Sequence, residues 1–218
     1  MNVSLIAISK PTIDDCATAE ELVAYCARVS NPANQHNHGT SAKLIRYLIN
    51  NAHWSPLEMV HMTMEINTTR DIARQILRHR SFSFQEFSQR YADPTKSLGF
   101  VTREARLQDP KNRQNSIETD NTELEELWQG MQQAAIEDAQ RQYAKAINMG
   151  VAKEQARALL PEGLTESRIY MAGSLRSWVH YCDLRRANGT QKEHREIADA
   201  CWLIVTQQFP MLGEHDEA

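Results

Sequence analysis

Val60, Met62, Met64 and Ile66 alternate with His61, Thr63, Glu65 and Asn67. That period of two predicts a half-buried strand. The period then changes. Ile72, Ile76 and Leu77 follow helical spacing, which predicts a helix from Asp71 to Arg78. A strand that runs into a helix needs a sheet to sit in and a layer to cover it. The rest of the chain supplies both. Residues 2–8 suit a short strand, and 18–28 suit a helix with Leu22, Val23 and Cys26 on one face. Residues 31–40 carry little apolar content and read as a loop. A helix is expected from Ser41 to Asn51 through Leu44, Ile45 and Leu48.

Residues 92–119 are polar, with Pro94, Pro110 and several asparagines, and read as an irregular excursion that a ligand orders. An amphipathic helix is expected over 121–148, with Leu124, Leu127, Met131, Ala135 and Tyr143 inward and Gly150 ending it. Further helices are expected over 151–159, 164–183 and 190–208. No repeat, linker or low-complexity segment interrupts the chain. The reading is one α+β domain over residues 1–218, helix-rich over a small antiparallel sheet.

Where the first predicted helix ends, the chemistry concentrates. Arg78, His79, Arg80, Glu86, Ser88 and Arg90 fall within 13 positions, interleaved with Phe82, Phe84 and Phe87. The segment is expected to leave the helix C-terminus and continue as a loop. Guanidinium groups suit planar, two-point capture of phosphate and carboxylate. The chain as a whole has a net charge of −4. A basic island that includes Arg70 and Arg74 in an acidic chain fits a small anionic ligand better than a long duplex. Cys16, Cys26, Cys182 and Cys201 form no CxxC pair and have no histidine cluster at zinc spacing. Free, mostly buried thiols and no metal are expected. The first ten residues lack a basic and then apolar leader pattern, and no run is long enough to span a bilayer. A cytosolic protein is expected, with neither a nucleic acid nor a membrane as partner.

Arg78-His79-Arg80, then seven residues, then Ser88, resembles the signature of flavin-dependent thymidylate synthases. Ala27 to Ser30, His53 to Glu58, Ala156 to Pro161 and Arg176 to Arg185 match further motifs in the family's order. The resemblance spans residues 20–210. It implies that family's fold and a homotetramer whose active sites form between subunits. It also implies the reductive methylation of dUMP to dTMP, with FAD as cofactor and NADPH and 5,10-methylenetetrahydrofolate as co-substrates.

By the same resemblance, Arg78, His79 and Arg80 hold the flavin and its phosphates, and Arg78 also borders the nucleotide. Ser30, Ser55, Glu58, Glu86, Ser174, Arg176 and His180 match flavin-binding positions, and His53 lies near the flavin ring as a catalytic candidate. Arg176 and His180, four apart, share a helix face. Gln75, Glu86, Phe87, Ser88, Gln89, Arg90 and Arg157 match dUMP-binding positions, with Arg90 expected on phosphate. Glu86, beside a dianionic phosphate, is expected to order an arginine or a ribose hydroxyl. Arg185 is the other catalytic candidate. It is expected to pair with the uracil and stabilise charge as N3 ionises, a task for a fixed cation. The resemblance gives no role to a cysteine, Cys182 within the Arg176 to Arg185 segment included, so activation is expected without a thiolate.

The chain departs from the family in places. Ser55 stands where threonine is common, and Met59 where a histidine commonly follows the glutamate. Ser174 stands where asparagine is frequent, and the stretch 186–193 is longer, so Gln191 and His194 carry no assigned role. Ser55 to Glu58 also has the form of a capping box with Pro56 in the first turn. Two other readings remain: a FAD-binding relative with altered activity, and an arginine-rich single-stranded nucleic-acid-binding module that stacks bases on Phe82, Phe84 and Phe87.

Overall fold

The computed structural model describes residues 2–215. Its frame is a four-stranded antiparallel sheet. Strand β1 (Asn2–Ile8) forms one edge, β2 (His61–Thr69) and β6 (Glu166–Ser174) the centre, and β3 (Ser83–Glu86) the other edge. β2 pairs with β6 along its whole length, from His61 opposite Ser174 to Thr69 opposite Glu166. In that register Met64 lies opposite Met171 and Ile66 opposite Ile169, and all four are fully buried. Side chains of this size contribute roughly 1.5–3 kcal/mol each on burial. The alternation in β2 thus marks a strand with one face in the core.

The helix expected over 164–183 is corrected to two elements. Residues 166–174 are the central strand β6, and Leu175 then starts helix α7 (Leu175–Arg186) without a loop. The inward positions of β6 include Ser167 and Gly173, and the accessible ones include Tyr170 and Ala172. Polarity therefore does not track the face. Gly173 is needed where it stands. The Phe82 ring covers it, and a Cβ at 173 would lie 2.5 Å from that ring. A second correction concerns residues 83–86. They were expected in a loop and form β3, with Phe84 opposite Met171 and Glu86 opposite Ile169.

One apolar cluster fills the space between this sheet and its helices. Helices α1 (Ala19–Ala27), α2 (Ser41–Asn50), α3 (Arg70–Ile76), α7 and α8 (Lys192–Gln208) all contribute to it. Their boundaries follow the sequence reading except where β6 displaces a helix. Thr18 and Glu21 form a reciprocal cap at the start of α1. Trp178 on α7 is fully buried, and its indole N–H donates to the Met62 carbonyl at 3.2 Å.

Residues 92–119 are more regular than expected. They contain the short helix α4 (Pro94–Ser97) and a hairpin of β4 (Arg106–Gln108) and β5 (Ser116–Glu118). Helix α5 (Thr122–Asn148) holds part of this segment through side-chain hydrogen bonds. The Gln132 amide accepts from the Arg103 N–H at 2.8 Å and donates to its carbonyl at 2.8 Å. Glu125 accepts from the Ala105 N–H at 2.6 Å. α5 therefore docks through Gln132, Ile136, Ala139 and Tyr143. The expected inward stripe is corrected accordingly: Tyr143 is buried, Leu124 is half-buried, and Ala135 is exposed. Leu127 and Met131 are 61% and 66% exposed. Gly150, at φ 84°, ends the helix in the left-handed region that glycine tolerates. Helix α6 (Lys153–Ala156) and a 3-10 turn occupy the expected helical stretch 151–159.

Candidate active site

The turn after α3 is pinned at both ends by apolar residues. Ile76 is fully buried, and Phe82 packs edge-on against Trp178 with ring centroids 4.9 Å apart. Between them the chain points Arg78 and Arg80 outward and His79 inward. The Arg78 and Arg80 side chains form no hydrogen bond or ion pair among the described residues. The His79 ring meets Tyr181 edge-on at 4.9 Å, and its Nε2 accepts from Arg185 Nε at 2.9 Å. Burial, with Arg185 and Arg78 nearby, pushes the His79 pKa down to about 4. His79 is therefore neutral near pH 7, with its remaining proton on Nδ1. A neutral acceptor holds Arg185 by Nε and leaves the two Nη groups free for a ligand.

A second histidine supports the first. His194 on α8 is fully buried, and burial, Arg185 and His79 push its pKa down to about 3. Its Nδ1 lies 3.2 Å from Gln75 Oε1 and its Nε2 lies 3.2 Å from the Tyr181 hydroxyl. An amide oxygen only accepts, so Nδ1 carries the proton and Nε2 accepts from the phenol. Gln75 then donates to Gln191 at 2.8 Å, and Gln191 donates to Glu193 at 2.9 Å. Gln75 is thus fixed from two sides by residues that carried no assigned role.

Other predicted residues gather at the start of α7. Glu58 accepts from Arg176 at 2.7 Å. The Ser174 hydroxyl first, then Arg176, holds the Glu58 carboxyl below its usual range. Ser174 also caps α7 by accepting from the Ser177 N–H at 3.3 Å. The capping-box form of Ser55 to Glu58 is not realised. Residues Ser55–Met59 make a 3-10 turn with no side-chain cap. That turn leaves Ser55 exposed and sets Trp54 against His180, with centroids 4.3 Å apart. Arg176 and His180 are both exposed, as their shared helix face requires. His53 is exposed beside Tyr47, at 6.2 Å between rings. Ser30 lines a cavity of about 470 Å³ with Arg28, Lys43 and Tyr47, the same tyrosine that stands beside His53.

Of the remaining candidates, Gln89 and Arg157 line a cleft of about 620 Å³ together with Arg70, Arg74, Glu154 and Glu162, and Arg74 pairs with Glu162. Glu86 orders an arginine here: its carboxylate accepts from Arg70 at 3.3 Å and from the Ser167 hydroxyl at 2.9 Å. Gln89 is buried, and its side-chain Nε2 has no partner among the described residues. An unmet buried donor among arginines is suited to an anion. Arg90 and Arg157 both lean on Glu154, at 3.3 Å to its carboxylate and 3.2 Å to its carbonyl. Ser88 and Phe87 are half-buried in the strand-to-turn segment that precedes Arg90. Arg185 and Arg90 are therefore held in two different places.

Comparison with known proteins separates this arrangement from a generic arginine cluster. The family described as thymidylate synthase complementing protein matches residues 12–211. A flavin-dependent thymidylate synthase from Synechocystis sp. is 50% identical over 217 residues, covering 98% of each chain. The chain belongs to the flavin-dependent thymidylate synthase family. A probable member from Paramecium bursaria Chlorella virus 1 is 46% identical over 214 residues, again covering 98% of each. Among solved structures, the UMP/dUMP methylase PolB from Streptomyces cacaoi bound with 5-Br dUMP superposes with a TM-score of 0.81. It is 26% identical, with 98% of this chain and 93% of that one covered.

Against the background of that flavin-dependent family, the thiols are quiet. Cys16, Cys182 and Cys201 are buried and Cys26 is half-buried, all unpaired. Burial raises the pKa of each of them. Sequence reasoning missed Tyr181, His194 and Trp54. The longer stretch after Arg185 obscured His194. Tyr181 had a usable signal, because it lies four residues before Arg185 on the same helix.

Proposed function

We propose that residues 1–218 act as one flavin-dependent thymidylate synthase domain with the residue roles set out here. The reaction converts dUMP, 5,10-methylenetetrahydrofolate, NADPH and a proton into dTMP, tetrahydrofolate and NADP⁺. When bound, FAD supplies the two-electron carrier between reductant and pyrimidine. The residues present fit that group. Arg78 and Arg80 are exposed cations whose side chains have no partner among the described residues, the Trp54–His180 and Tyr47–His53 pairs offer planar surfaces, and Arg176 is held by Glu58. Family membership at 46–50% identity, against 26% for the methylase that also takes UMP, supports dUMP as substrate.

The observation that carries the reading is the 2.9 Å bond from Arg185 Nε to neutral His79. It presents a fixed, planar cation whose Nη groups meet negative charge on the uracil as N3 ionises. His79, His194 and Tyr181 position that cation and do not exchange its proton. Arg70, Arg157, Gln89, Ser88 and Arg90 receive the nucleotide phosphate, and Glu86 keeps Arg70 aimed at it. The exposed Leu127 and Met131 on α5 support an assembly face, in keeping with a homotetramer that shares its sites. No helix among the described residues is long and apolar enough to cross a membrane. The unpaired cysteines support a cytosolic setting.

The test is spectroscopic. Purified protein reconstituted with FAD should be yellow, bleach with NADPH under anaerobic conditions, and recover colour with dUMP and methylenetetrahydrofolate as dTMP forms. Flavin binding without dTMP would leave a relative with altered activity. No flavin uptake, with tight single-strand binding, would replace the reading altogether.

A further inference from the structure

A separate cleft of about 400 Å³ lies between the β4–β5 hairpin, Trp128 on α5 and the start of α8. Five basic side chains line it against one carboxylate, Glu118. Three of the five are already neutralised. Arg103 pairs with Asp71 at 2.7 Å, Arg106 pairs with Glu193, and Lys192 lies 2.7 Å from Glu104 and 2.6 Å from Glu118. Arg113 and Arg195 form no ion pair among the described residues. The wall also includes Trp128, 37% exposed. Arg195 also helps to lower the Glu118 pKa, and two guanidiniums without an ion pair in a cleft that exposes an indole suit an anion attached to a planar ring.

The cleft also communicates with the candidate active site. Gln191 lines it and accepts from Gln75, the residue that His194 holds. We propose that this cleft binds the 2′-phosphoadenosine end of the dinucleotide reductant, with Arg113 and Arg195 on the 2′-phosphate and Trp128 against the adenine. The assignment rests on the activity proposed above. The γ-glutamyl tail of a folate is also anionic, but it offers no ring to Trp128.

Calorimetry with adenosine 2′,5′-bisphosphate tests the cleft without reference to turnover. The protein should bind this probe, and the Arg113→Gln/Arg195→Gln variant should bind it about tenfold more weakly or worse. In anaerobic flavin reduction the same variant should show a KM for NADPH raised about tenfold, with constants for NADH unchanged. Arg113→Gln alone, on the exposed hairpin, should move both readouts in the same direction, which guards against loss of fold. Equal effects on NADPH and NADH, no effect on either, or a preference for tri-γ-glutamate over the bisphosphate would overturn the proposal. If the protein takes up no flavin, the proposed activity falls, while the calorimetry still decides the cleft.

Discussion

At one end of the β2–β6 pair Thr69 passes directly into α3, and at the other end Ser174 passes directly into α7. The two junctions reach the same place, because Arg185 near the end of α7 donates to His79 just past the end of α3. They are secured differently. Ser174 caps its own helix through the Ser177 N–H. Thr69 caps nothing. Its hydroxyl donates to Asp71 at 2.5 Å and accepts from Arg103 at 2.7 Å, a residue of the segment that α5 holds in part. One junction is locally complete and the other depends on a distant segment. Arg185 therefore sits on a self-sufficient helix, while the His79 turn takes its support from tertiary contacts.

The largest expected effect is at the α7 end of this comparison. Arg185→Lys removes both the Nε that His79 holds and the paired Nη donors. The rate at which dUMP and methylenetetrahydrofolate reoxidise reduced flavin in anaerobic single turnover should fall roughly 10²–10³-fold. Reduction of FAD by NADPH should suffer less. Arg90→Ala should instead chiefly weaken dUMP affinity, by about 1.5–3 kcal/mol. Wild-type reoxidation by Arg185→Lys at saturating dUMP would show that the two arginines are assigned the wrong way round.

Next comes the contact that ties the two junctions together. Gly173→Ala would place a methyl group 2.5 Å from the Phe82 ring, at the base of the Arg78–Arg80 turn. Overpacking of this kind costs about 1–3 kcal/mol. The expected signature is a lower Tm together with weaker FAD uptake. A lower Tm with unchanged FAD affinity would mean that Phe82 does not set the turn. A smaller effect should separate the caps. Ser174→Ala should cost about 1 kcal/mol at the start of α7. Thr69→Ala should leave the start of α3 intact and instead speed amide exchange around Arg103. Equal fraying of both helix starts would erase the contrast.

The same two junctions differ in how far the sequence reveals them. β2 has Met62, Met64 and Ile66 facing inward against His61, Thr63 and Glu65 facing out, so period and polarity agree. β6 buries Ser167 and Gly173 because it is central and because Phe82 needs the space. Its accessible Tyr170 and Ala172 remove the contrast, and a strand then resembles the start of a helix. The site divides in a similar way. Arg78, His79 and Arg80 were legible as chemistry concentrated in a short segment, and Arg185 through the family resemblance. What holds them was less so: Tyr181 shares α7 with Arg185, but His194 and Gln191 act from α8 and the residue before it, and their roles follow from burial and hydrogen bonding.

The smallest effect concerns protons. His79 and His194 have native pKa values of about 4 and about 3, against an ordinary value of 6.5. Both are lowered chiefly by burial. Below pH 6.5 the unfolded chain takes up protons that the native state refuses, so stability falls as pH falls. For His79 that loss runs from about 6.5 down to about 4, where the native ring is itself protonated and releases Arg185. His79→Gln keeps a side-chain acceptor and cannot titrate. Its denaturant midpoint should decline less steeply than that of the natural protein between pH 6.5 and 4, while the two curves run parallel above pH 7. Identical slopes across the acid range would mean that His79 is protonated in the native state, and Arg185 would then need another partner to hold it.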